Sequence, residues 1–518
     1  MPKPLPTSTA TFRDIIDGKY LYIDKTEYIY ALAKYTKGAY FLSRPRRFGK
    51  SLLISTLEEL FLGNRDLFQN LWIDSTDYEW EPYPVIRLDF GRAPTTSAEE
   101  LKTNIKRYLQ RIARQYGITL AEGEYYAQFD DLIFELSVQN QVIILIDEYD
   151  KPIIENLDNP EEAKRIRDTL KGFYGVIKAM EKHIRLTFIT GISKFSKVGV
   201  FSELNHLDDL TIDGRFATML GITQEELNHS FQDRLPLFAA QEGVSVGELI
   251  DQIRTWYDGF RFTRVDESLY NPFSTMNLFN KLSFHNYWFE SGTPTFLINL
   301  LKEREFDLSL LEKMTIREIA FSTYELEDLD IIPLLYQTGY LTIKAYDHEQ
   351  RTYTLSYPNQ EVEESFTTWL LAAYSYSQRS FGESHMTQFV DALKNQNLDK
   401  FFKILSVFFA NVPYDLQLNY EKYYQSIFYL IFLMLGFRVE AEVETNDGRI
   451  DAVVELDKHI YLFEFKLDKS AKEALSQIQK HRYYQKYQLQ GKPIICIGAN
   501  FDTASRTVDD WEKKEVPS

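Results

Sequence analysis

Short apolar runs alternate with longer helical patterns along the first part of the chain. Four runs predict strands, and the segments between them, apolar at every third or fourth position, predict helices. The predicted strands are Ala39–Leu42, Val85–Phe90, Val142–Ile146 and Leu186–Thr190. The predicted helices include Ser51–Phe61, Ala98–Gln115 and Glu161–Glu181. Such alternation predicts an α/β domain with a parallel sheet covered by helices on both faces.

Two further patterns follow along the chain. From Thr293 to about Ala373, helical segments lead to the run Leu334–Lys344, a polar turn and Thr352–Ser356, which predicts a helical, winged-helix-like module. The C-terminal part predicts the order αβββαβ. Its elements are Tyr420–Leu435, Phe437–Glu444, Ile450–Leu456, His459–Phe465, Ala471–Gln485 and Pro493–Gly498. The changes of pattern predict domains at residues 1–285, 286–410 and 411–518.

Composition narrows the function classes. A chain of 518 residues is too long for one core. Its formal charge of -18 excludes a general polyanion binder, because phosphate binding needs Lys and Arg, so a nucleic-acid site must be a local basic patch. Cys496 is the single cysteine, which excludes an internal disulfide and a Cys-based zinc site. The N-terminus lacks a signal-peptide pattern, and Ile427–Leu435 is far short of the roughly 20 apolar residues that span a bilayer. We therefore expect a cytoplasmic protein without a membrane partner.

A phosphate-binding motif stands between the first predicted strand and the following helix. The sequence from Ser43 to Ser51 is SRPRRFGKS, and in this context backbone N–H groups and the helix N-terminus face phosphates. Lys50 would reach the terminal phosphates of ATP, and the Ser51 hydroxyl would bind Mg²⁺. Gly49 completes the motif, and Arg46 and Arg47 would add charge. Arg44 stands where the P-loop consensus has its first glycine, and the alternative is a basic turn before an ordinary helix.

Polar residues end the two strands that follow in this pattern. Asp147 ends an Ile-rich strand and would hold Mg²⁺, and Glu148 after it would polarise the attacking water. Thr190 ends the next strand, where related ATPases keep a polar residue that senses the γ-phosphate. An Ile-rich strand ending in Asp is also common in parallel sheets that bind no nucleotide.

Five blocks of this half resemble the bacterial AAA-ATPase-like family. They are Tyr22–Thr26, Arg44–Ser51, Ile146–Asp150, Phe188–Gly191 and Trp256–Phe260. The family's variant P-loop lacks the first glycine in the same way. The resemblance runs from about Pro6 to Phe279 and implies an ATP-binding domain of the additional-strand P-loop type, which a PD-(D/E)XK nuclease domain often follows.

A carboxylate pair is predicted in the C-terminal hairpin. If Asp457 and Lys458 form its turn, Asp451 and Glu464 face each other across the ladder, about 5 Å apart at Cβ. Lys466 lies two residues beyond Glu464 and so on the same face of the strand. Two carboxylates beside an ammonium predict a Mg²⁺ site that activates water for attack on a phosphodiester. The alternative is a surface hairpin with alternating charges.

Asp451 and the sequence Glu464-Phe465-Lys466, within this element order, resemble the PD-(D/E)XK nuclease superfamily. The resemblance covers about Asn419 to Asp502, with Ile450 where the motif has proline. It implies that Gln477 is a polar helper in the active site and that Glu421 is a further metal ligand.

A basic, tyrosine-rich segment surrounds this predicted site and would track a nucleic-acid backbone and stack bases. Its residues are Lys466, Lys469, Lys472, Lys480, His481, Arg482, Lys486, Lys492, Tyr483, Tyr484 and Tyr487. The alternative is a solvated helix face whose tyrosines lie in the core.

Three functions are compatible with these motifs. The first is an ATP-binding, ATP-regulated, Mg²⁺-dependent nuclease acting on nucleic acid, with DNA favoured and an oligomer allowed. The second is a nucleotide-dependent switch or scaffold whose nuclease-like domain only binds nucleic acid or protein. The third, a plain ATPase motor, has only Arg215 as a guess for its arginine finger.

Overall fold

The computed structural model of the protein describes residues 2–194, 204, 206–289, 295–321, 330–374, 379–410, 420–434, 438–445, 448–456, 458–502, 504–505 and 507–516. The chain divides into two compact units, of which the first comprises Met1–Phe296 and Met314–Val362 and the second Leu297–Lys313 and Glu363–Ser518. The domain boundaries near residues 285 and 410 stay predictions.

The helices and strands of the described residues are numbered along the chain. The helices are α1 (Phe12–Asp17), α2 (Thr26–Ala33), α3 (Lys50–Phe61), α4 (Ala98–Gln115), α5 (Tyr125–Ser137), α6 (Lys151–Ile154), α7 (Pro160–Ala179), α8 (Gln224–Ser230), α9 (Leu235–Glu242), α10 (Val246–Tyr257), α11 (Pro272–Lys281), α12 (Thr295–Glu303), α13 (Ile331–Thr338), α14 (Gln360–Tyr374), α15 (Arg379–Lys394), α16 (Leu398–Ala410), α17 (Tyr420–Met434) and α18 (Ala471–Lys480). The strands are β1 (Gly38–Ser43), β2 (Val85–Asp89), β3 (Val142–Asp147), β4 (Ile184–Gly191), β5 (Asp208–Asp209), β6 (Met314–Arg317), β7 (Thr342–Asp347), β8 (Thr352–Ser356), β9 (Arg438–Thr445), β10 (Gly448–Glu455), β11 (Ile460–Leu467), β12 (Ile494–Asp502) and β13 (Thr507–Val516).

A five-stranded parallel sheet organises the first unit. Its order is β2-β3-β4-β1-β5, so β4 lies between β1 and β3 although it follows both in sequence. The four predicted strands and the predicted α/β class are confirmed. The added strand β5 is two residues long, too short for a hydrophobic pattern to reveal it.

Both faces of this sheet are buried, as the apolar runs predicted. In β3, Ile144 and Ile146 pack in one core with α4, α5 and α7, while Ile143 and Leu145 pack in a second core with α2 and α3. A strand buried on both sides needs apolar residues at every position rather than at alternate ones. This explains the uninterrupted Ile-rich sequence of β3.

Helices α8 to α11 follow the sheet and share a third core. The predicted helix-then-hairpin pattern of the middle segment is also present, because α13 leads into the β7–β8 hairpin, which β6 extends to three strands. The sequence pattern treated Leu334–Lys344 as one run, and the structure divides it into two elements. Gly339, with φ +89°, ends α13 inside it, so the first half is helix and the second half begins β7.

The second unit contains a mixed sheet of order β13-β12-β11-β10-β9, in which only β11 and β12 are parallel. The predicted order αβββαβ is confirmed and continues into β13, which the sequence analysis missed. Strand β13 is an edge with charged residues at most positions, and such a pattern predicts no half-buried strand. The predicted helix Ala471–Gln485 is too long, because Arg482 adopts φ +49° and the chain reverses into a 3-10 helix, Tyr483–Gln490.

The two faces of this sheet are covered differently. Phe463 and Phe465 face aromatic side chains of α16 and α17, with Phe465 stacked 3.9 Å from Phe428. On the other face, α18 packs against Leu462 and Cys496. Gly498, which pairs with Glu464 in the β11–β12 ladder, allows the backbone of α18 to come close to the sheet. No helix among the described residues is long and apolar enough to cross a membrane.

The contact of α18 with Gly498 gives a stability prediction. A Cβ on Gly498 would lie 2.3 Å from the Ala471 carbonyl oxygen and 2.5 Å from the Leu475 amide nitrogen. Because both are backbone atoms, the helix must shift, and we expect Gly498→Ala to lower the free energy of unfolding by about 1–3 kcal/mol. Urea denaturation followed by circular dichroism measures the change.

Gly123→Ala is the control, since a Cβ there meets no atom within 4 Å. We expect it to change the free energy of unfolding by less than about 0.5 kcal/mol. Equal stabilities of the two variants would contradict the close packing of α18 on β12.

Candidate functional site

The loop between β1 and α3 has the turn of a phosphate-binding loop. Gly49 caps α3 with φ +92°, and Arg47 also adopts a left-handed conformation, with φ +63°. The Arg47 guanidinium stacks 3.7 Å from the Phe273 ring, which holds this strained residue. Ser51 is the second residue of α3, at the helix N-terminus where the motif requires it. The side chains of Arg46 and Arg47 are exposed.

Arg44, in the place of the consensus glycine, does not adopt a positive φ. Its buried guanidinium donates to the carbonyl oxygens of Ser43 and Thr211, at 2.9 and 2.8 Å, and lies 4.5 Å from the Phe262 ring. Burial lowers the pKa of Arg44 to about 10. The missing glycine is therefore tolerated, because the left-handed conformation of this loop is carried by other positions.

Lys50 is buried and folds back over the loop. Its ammonium donates to the carbonyl oxygens of Arg44 and Pro45, both at 2.9 Å. Burial lowers the pKa of Lys50, and the nearby carboxylates of Asp147 and Glu148 oppose that change. The predicted phosphate-binding cation thus lies with the predicted acidic residues in one cluster.

Asp147 and Thr190 are brought together by the pairing of β3 with β4. The Thr190 hydroxyl donates to Asp147 Oδ1 at 2.6 Å, and both side chains are buried. The Glu148 amide donates to the same oxygen at 3.1 Å. The ends of β1, β3 and β4 therefore place Lys50, Asp147 and Thr190 at one edge of the sheet, as expected for adjacent parallel strands.

Glu148 follows β3 in a left-handed conformation, with φ +52°. Its carboxylate lies close to Gly91, since a Cβ added to that glycine would be 2.4 Å from Glu148 Oε2. The same carboxylate pairs with the Lys151 ammonium at 3.7 Å. Burial raises the pKa of Glu148. A carboxylate whose proton affinity is raised suits general-base chemistry near neutral pH better than an exposed one.

Asp150 is a buried residue of this site to which the sequence analysis gave no role. Its carboxylate accepts from the Ile192 amide at 3.0 Å and from the Ser193 amide and hydroxyl, both at 2.6 Å. Burial raises the pKa of Asp150. Its place in the block Ile146–Asp150 was the available signal, and its contacts fix the chain that leaves β4 beside Thr190.

A second set of missed residues covers the P-loop from far along the chain. The Trp288 indole donates to the Arg46 carbonyl oxygen at 3.1 Å, and Gly339 allows Pro45 to come close to α13. Phe48 contacts Phe260 at 4.8 Å between ring centres. Phe260 lies in the block Trp256–Phe260, which the family resemblance had indicated. Trp288 and Gly339 carried no signal in the local sequence.

In the second unit, β11 carries the predicted carboxylate and ammonium. The buried Glu464 side chain accepts from Lys466 Nζ at 2.9 Å, and Lys466 is partly exposed. Phe463 and Phe465 face the opposite side of the strand, as predicted. A buried carboxylate with an ammonium beside it offers oxygen ligands to a hard cation and a positive charge to a phosphate.

The hairpin register agrees with the predicted one. Ala452 pairs with Phe463, and the same register continued by one residue brings Asp451 opposite Glu464. The side chains of Asp451 and Glu421 lie outside the described part of the chain, so their roles as metal ligands stay predictions. Gln477 is half-buried on α18, and its role also stays a prediction.

Within the described side chains, no group of three or more His, Cys, Asp or Glu residues is arranged to hold a metal ion.

In the basic segment around this site, most of the charged side chains are exposed, but two of the tyrosines are buried. Lys469, Lys472, Lys480, Arg482 and Lys486 are exposed, and Lys492 donates to the Leu456 carbonyl oxygen. Tyr483 and Tyr487 are each only 2 % exposed, in the core beneath α18, so their prediction as base-stacking side chains is wrong. The left-handed Arg482 turns the chain so that these rings point inward.

Arg215, the guessed arginine finger, is exposed and pairs with Asp213 at 2.5 Å. Its role stays a guess from the sequence.

Comparison with known proteins agrees with the resemblances of both the N-terminal and the C-terminal part of the chain. Residues 6–201 match the family described as Predicted AAA-ATPase, and residues 419–511 match the PD-(D/E)XK nuclease superfamily. The chain is also similar to the "Uncharacterized protein in vnfD 5'region" of Azotobacter chroococcum mcd 1, with 39 % identity over 520 residues, covering 98 % of each chain. This chain belongs to the predicted AAA-ATPase family, in the form that carries a C-terminal domain of the PD-(D/E)XK nuclease superfamily.

Proposed function

We propose that this protein is an ATP-regulated, Mg²⁺-dependent nuclease that cleaves phosphodiester bonds of nucleic acid, with DNA as the favoured substrate. The observation that carries the proposal is the buried Glu464 carboxylate, 2.9 Å from the Lys466 ammonium. It lies on a hairpin whose register continues to Asp451. Two like charges opposite each other destabilise a hairpin unless a cation compensates them.

The nuclease residues divide the chemistry between them. Asp451 and Glu464 would hold Mg²⁺, with Glu421 as a further ligand, and the bound ion supplies an activated water for attack on phosphorus. Lys466 stabilises the negative charge that develops on the phosphate oxygens. Gln477, on the helix above this face, orients the phosphate or the water. The exposed lysines of α18 hold the nucleic-acid backbone.

The P-loop residues bind and hydrolyse ATP in this proposal. Backbone N–H groups between Arg46 and Ser51 surround the phosphates, with Arg46 and Arg47 adding charge. Lys50 leaves its two carbonyl partners to bind the terminal phosphates. Ser51 and Asp147 would hold the Mg²⁺ that accompanies ATP, and Glu148 accepts the proton of the attacking water. Thr190 reports the γ-phosphate to Asp147 through their hydrogen bond.

Regulation is supported by the contacts of the loop. Trp288 and Gly339 contact residues 45 and 46, so a loop that moves on phosphate binding also moves α13 and the chain before it. In the proposal this change licenses cleavage. A single buried cysteine suits a reducing compartment, and we place the protein in the cytoplasm.

The alternative is a nucleotide-dependent switch or scaffold that binds nucleic acid or protein without cutting. The two functions differ in what Asp451 does. Asp451→Ala abolishes the activity of a nuclease and leaves a scaffold intact, whereas Lys50→Ala impairs both.

One prediction of the proposed function concerns nucleotide binding. We expect Lys50→Ala to raise the Kd for ATP at least about tenfold, because the charge nearest the phosphates is lost, which corresponds to roughly 1.4 kcal/mol. Isothermal titration of the full chain with ATP and Mg²⁺ measures it. Lys171→Ala, which removes an exposed lysine of α7, is the control and should bind like the wild type. Unchanged binding in Lys50→Ala would exclude the P-loop as the ATP site.

Another prediction concerns cleavage. We expect Lys466→Ala to slow Mg²⁺-dependent cleavage at least about a hundredfold, as the loss of one charge-stabilising group does in other enzymes, with ATP binding unaffected. Lys458→Ala, at the exposed turn of the same hairpin, is the matched control and should cleave normally. Gel assays on single- and double-stranded DNA and RNA, with and without ATP, measure the rates. Absence of cleavage by the wild type on every substrate would reject the nuclease function.

A further prediction concerns the exposed lysines of α18. Lys472 and Lys480 are exposed on α18 and separated by eight residues, so they lie on similar sides of the helix. We expect the double replacement by Ala to weaken DNA binding equally for all sequences and to reduce the slope of log K against log salt by about 2. Fluorescence anisotropy at several salt concentrations measures this, and an unchanged slope would remove α18 from the DNA-binding surface.

A further inference from the structure

The outer face of α5 exposes large apolar side chains to solvent. Tyr126 is 47 % exposed, Phe134 is 53 % exposed and Val138, which follows the last turn, is 75 % exposed. Phe134 and Val138 are four residues apart and are therefore neighbours on the helix surface. Single apolar residues are ordinary on a protein surface, but several on one face of one helix are typical of an interaction surface.

Acidic side chains lie on the same face of α5. Asp131 and Glu135 are exposed, and each precedes one of the apolar residues, Phe134 and Val138, by three positions. Residues three or four positions apart lie on one side of a helix, so the acidic and apolar side chains form a single stripe. Asp131 and Glu135 are also four residues apart, and like charges at this spacing repel each other and weaken a helix. The stripe therefore favours a cationic partner.

The neighbouring helix α4 has the opposite pattern. Arg107, Arg111 and Arg114 are exposed and are separated by four and three residues, so like charges again lie side by side. Arg107 donates to Asn104 Oδ1 at 3.0 Å, within α4 itself. Among the residues that the structure describes, no ion pair joins α4 to α5. The basic and acidic stripes of one chain thus do not neutralise each other by direct contact.

The two helices present these stripes on one side of the first unit. Leu101 and Leu109 of α4 and Leu132 and Leu136 of α5 belong to the same core as Ile144 of β3, so the charged sides of both helices point away from that core. The helices have 18 and 13 residues, which makes them about 27 and 20 Å long and about 20 Å wide together. Two copies that meet on this face would bury about 1,000 Å² in total, the lower limit for a specific interface.

We propose that a second copy of this chain docks on this face, with α4 of each copy against α5 of the other. In a dimer about a two-fold axis the same patch serves both copies, so a basic helix beside an acidic helix is self-complementary. Arginines of one copy then pair with Asp131 and Glu135 of the other. Their long side chains and planar guanidinium groups cover Phe134 and Val138. The dimer goes beyond the proposed function, because its interface contains none of the candidate nucleotide or nuclease residues.

Sedimentation equilibrium of the full-length protein tests the dimer. We expect the wild type to have twice the mass of the chain at ~100 µM, where a dimer with a micromolar Kd is formed. Replacing both Phe134 and Val138 by Ser should raise the dimer Kd at least about tenfold. Leu237→Ser, at a residue of α9 that is 61 % exposed, is the matched control and should dimerise like the wild type. A monomeric wild type, or a dimer that the double replacement leaves unchanged, overturns the proposal.

An exchange of charges tests the pairing of α4 with α5 directly. One variant carries Asp131→Arg and Glu135→Arg, and the other carries Arg107→Glu and Arg111→Glu. Each variant alone should be monomeric, because like charges then meet at both contacts between the copies. An equimolar mixture should form a heterodimer, because both contacts again join opposite charges. Variants that dimerise alone, or a mixture that stays monomeric, overturn the proposal.

Discussion

The insertion of β4 between β1 and β3 is the constraint on which the candidate nucleotide site depends. Because the three strands are parallel neighbours, their carboxyl ends meet at one edge, although the residues there are separated by up to 140 positions (Lys50 to Thr190). The 2.6 Å hydrogen bond from Thr190 to Asp147 exists only through this order. A buried carboxylate needs such partners, since its charge is costly to remove from water.

The second unit obtains its site from an antiparallel register instead. One residue of slippage in the β10–β11 hairpin would turn Glu464 and Lys466 towards the aromatic core of α16 and α17. The register is held by the packing of Phe463 and Phe465 on that core and by Gly498 beneath α18 on the other face. The chemistry on one side of the strand thus depends on side chains that point the other way.

The sequence predicted those features that local pattern controls. Strands buried on both faces, the helix after the P-loop and the hairpin register follow from periodicity and turn position, and the structure agrees with them. Strand β13 was not predictable in this way, because its charged residues carry no apolar alternation. The inward direction of Tyr483 and Tyr487 depends on one left-handed residue, Arg482, that no propensity indicates.

The candidate site was predicted in the same partial way. The residues predicted at the ends of β3 and β4 lie at one edge of the sheet together with Lys50 of the P-loop, whereas Trp288 and Gly339 contact that loop from more than 200 positions away. Contacts over such separations leave no trace in a window of neighbouring residues. Asp150 lies between these cases, since it follows Asp147 by three residues but makes its contacts with the backbone of residues 192 and 193.

The conformation of the P-loop bears on how such sites are found. Arg47 provides a left-handed turn that is usually assigned to glycine, and its stacking on Phe273 offsets part of the strain. The shape of the loop is thus retained while its glycine signature is lost. A search that requires the backbone geometry, with arginine allowed wherever an aromatic ring supports it, will detect phosphate-binding turns that a pattern of letters passes over.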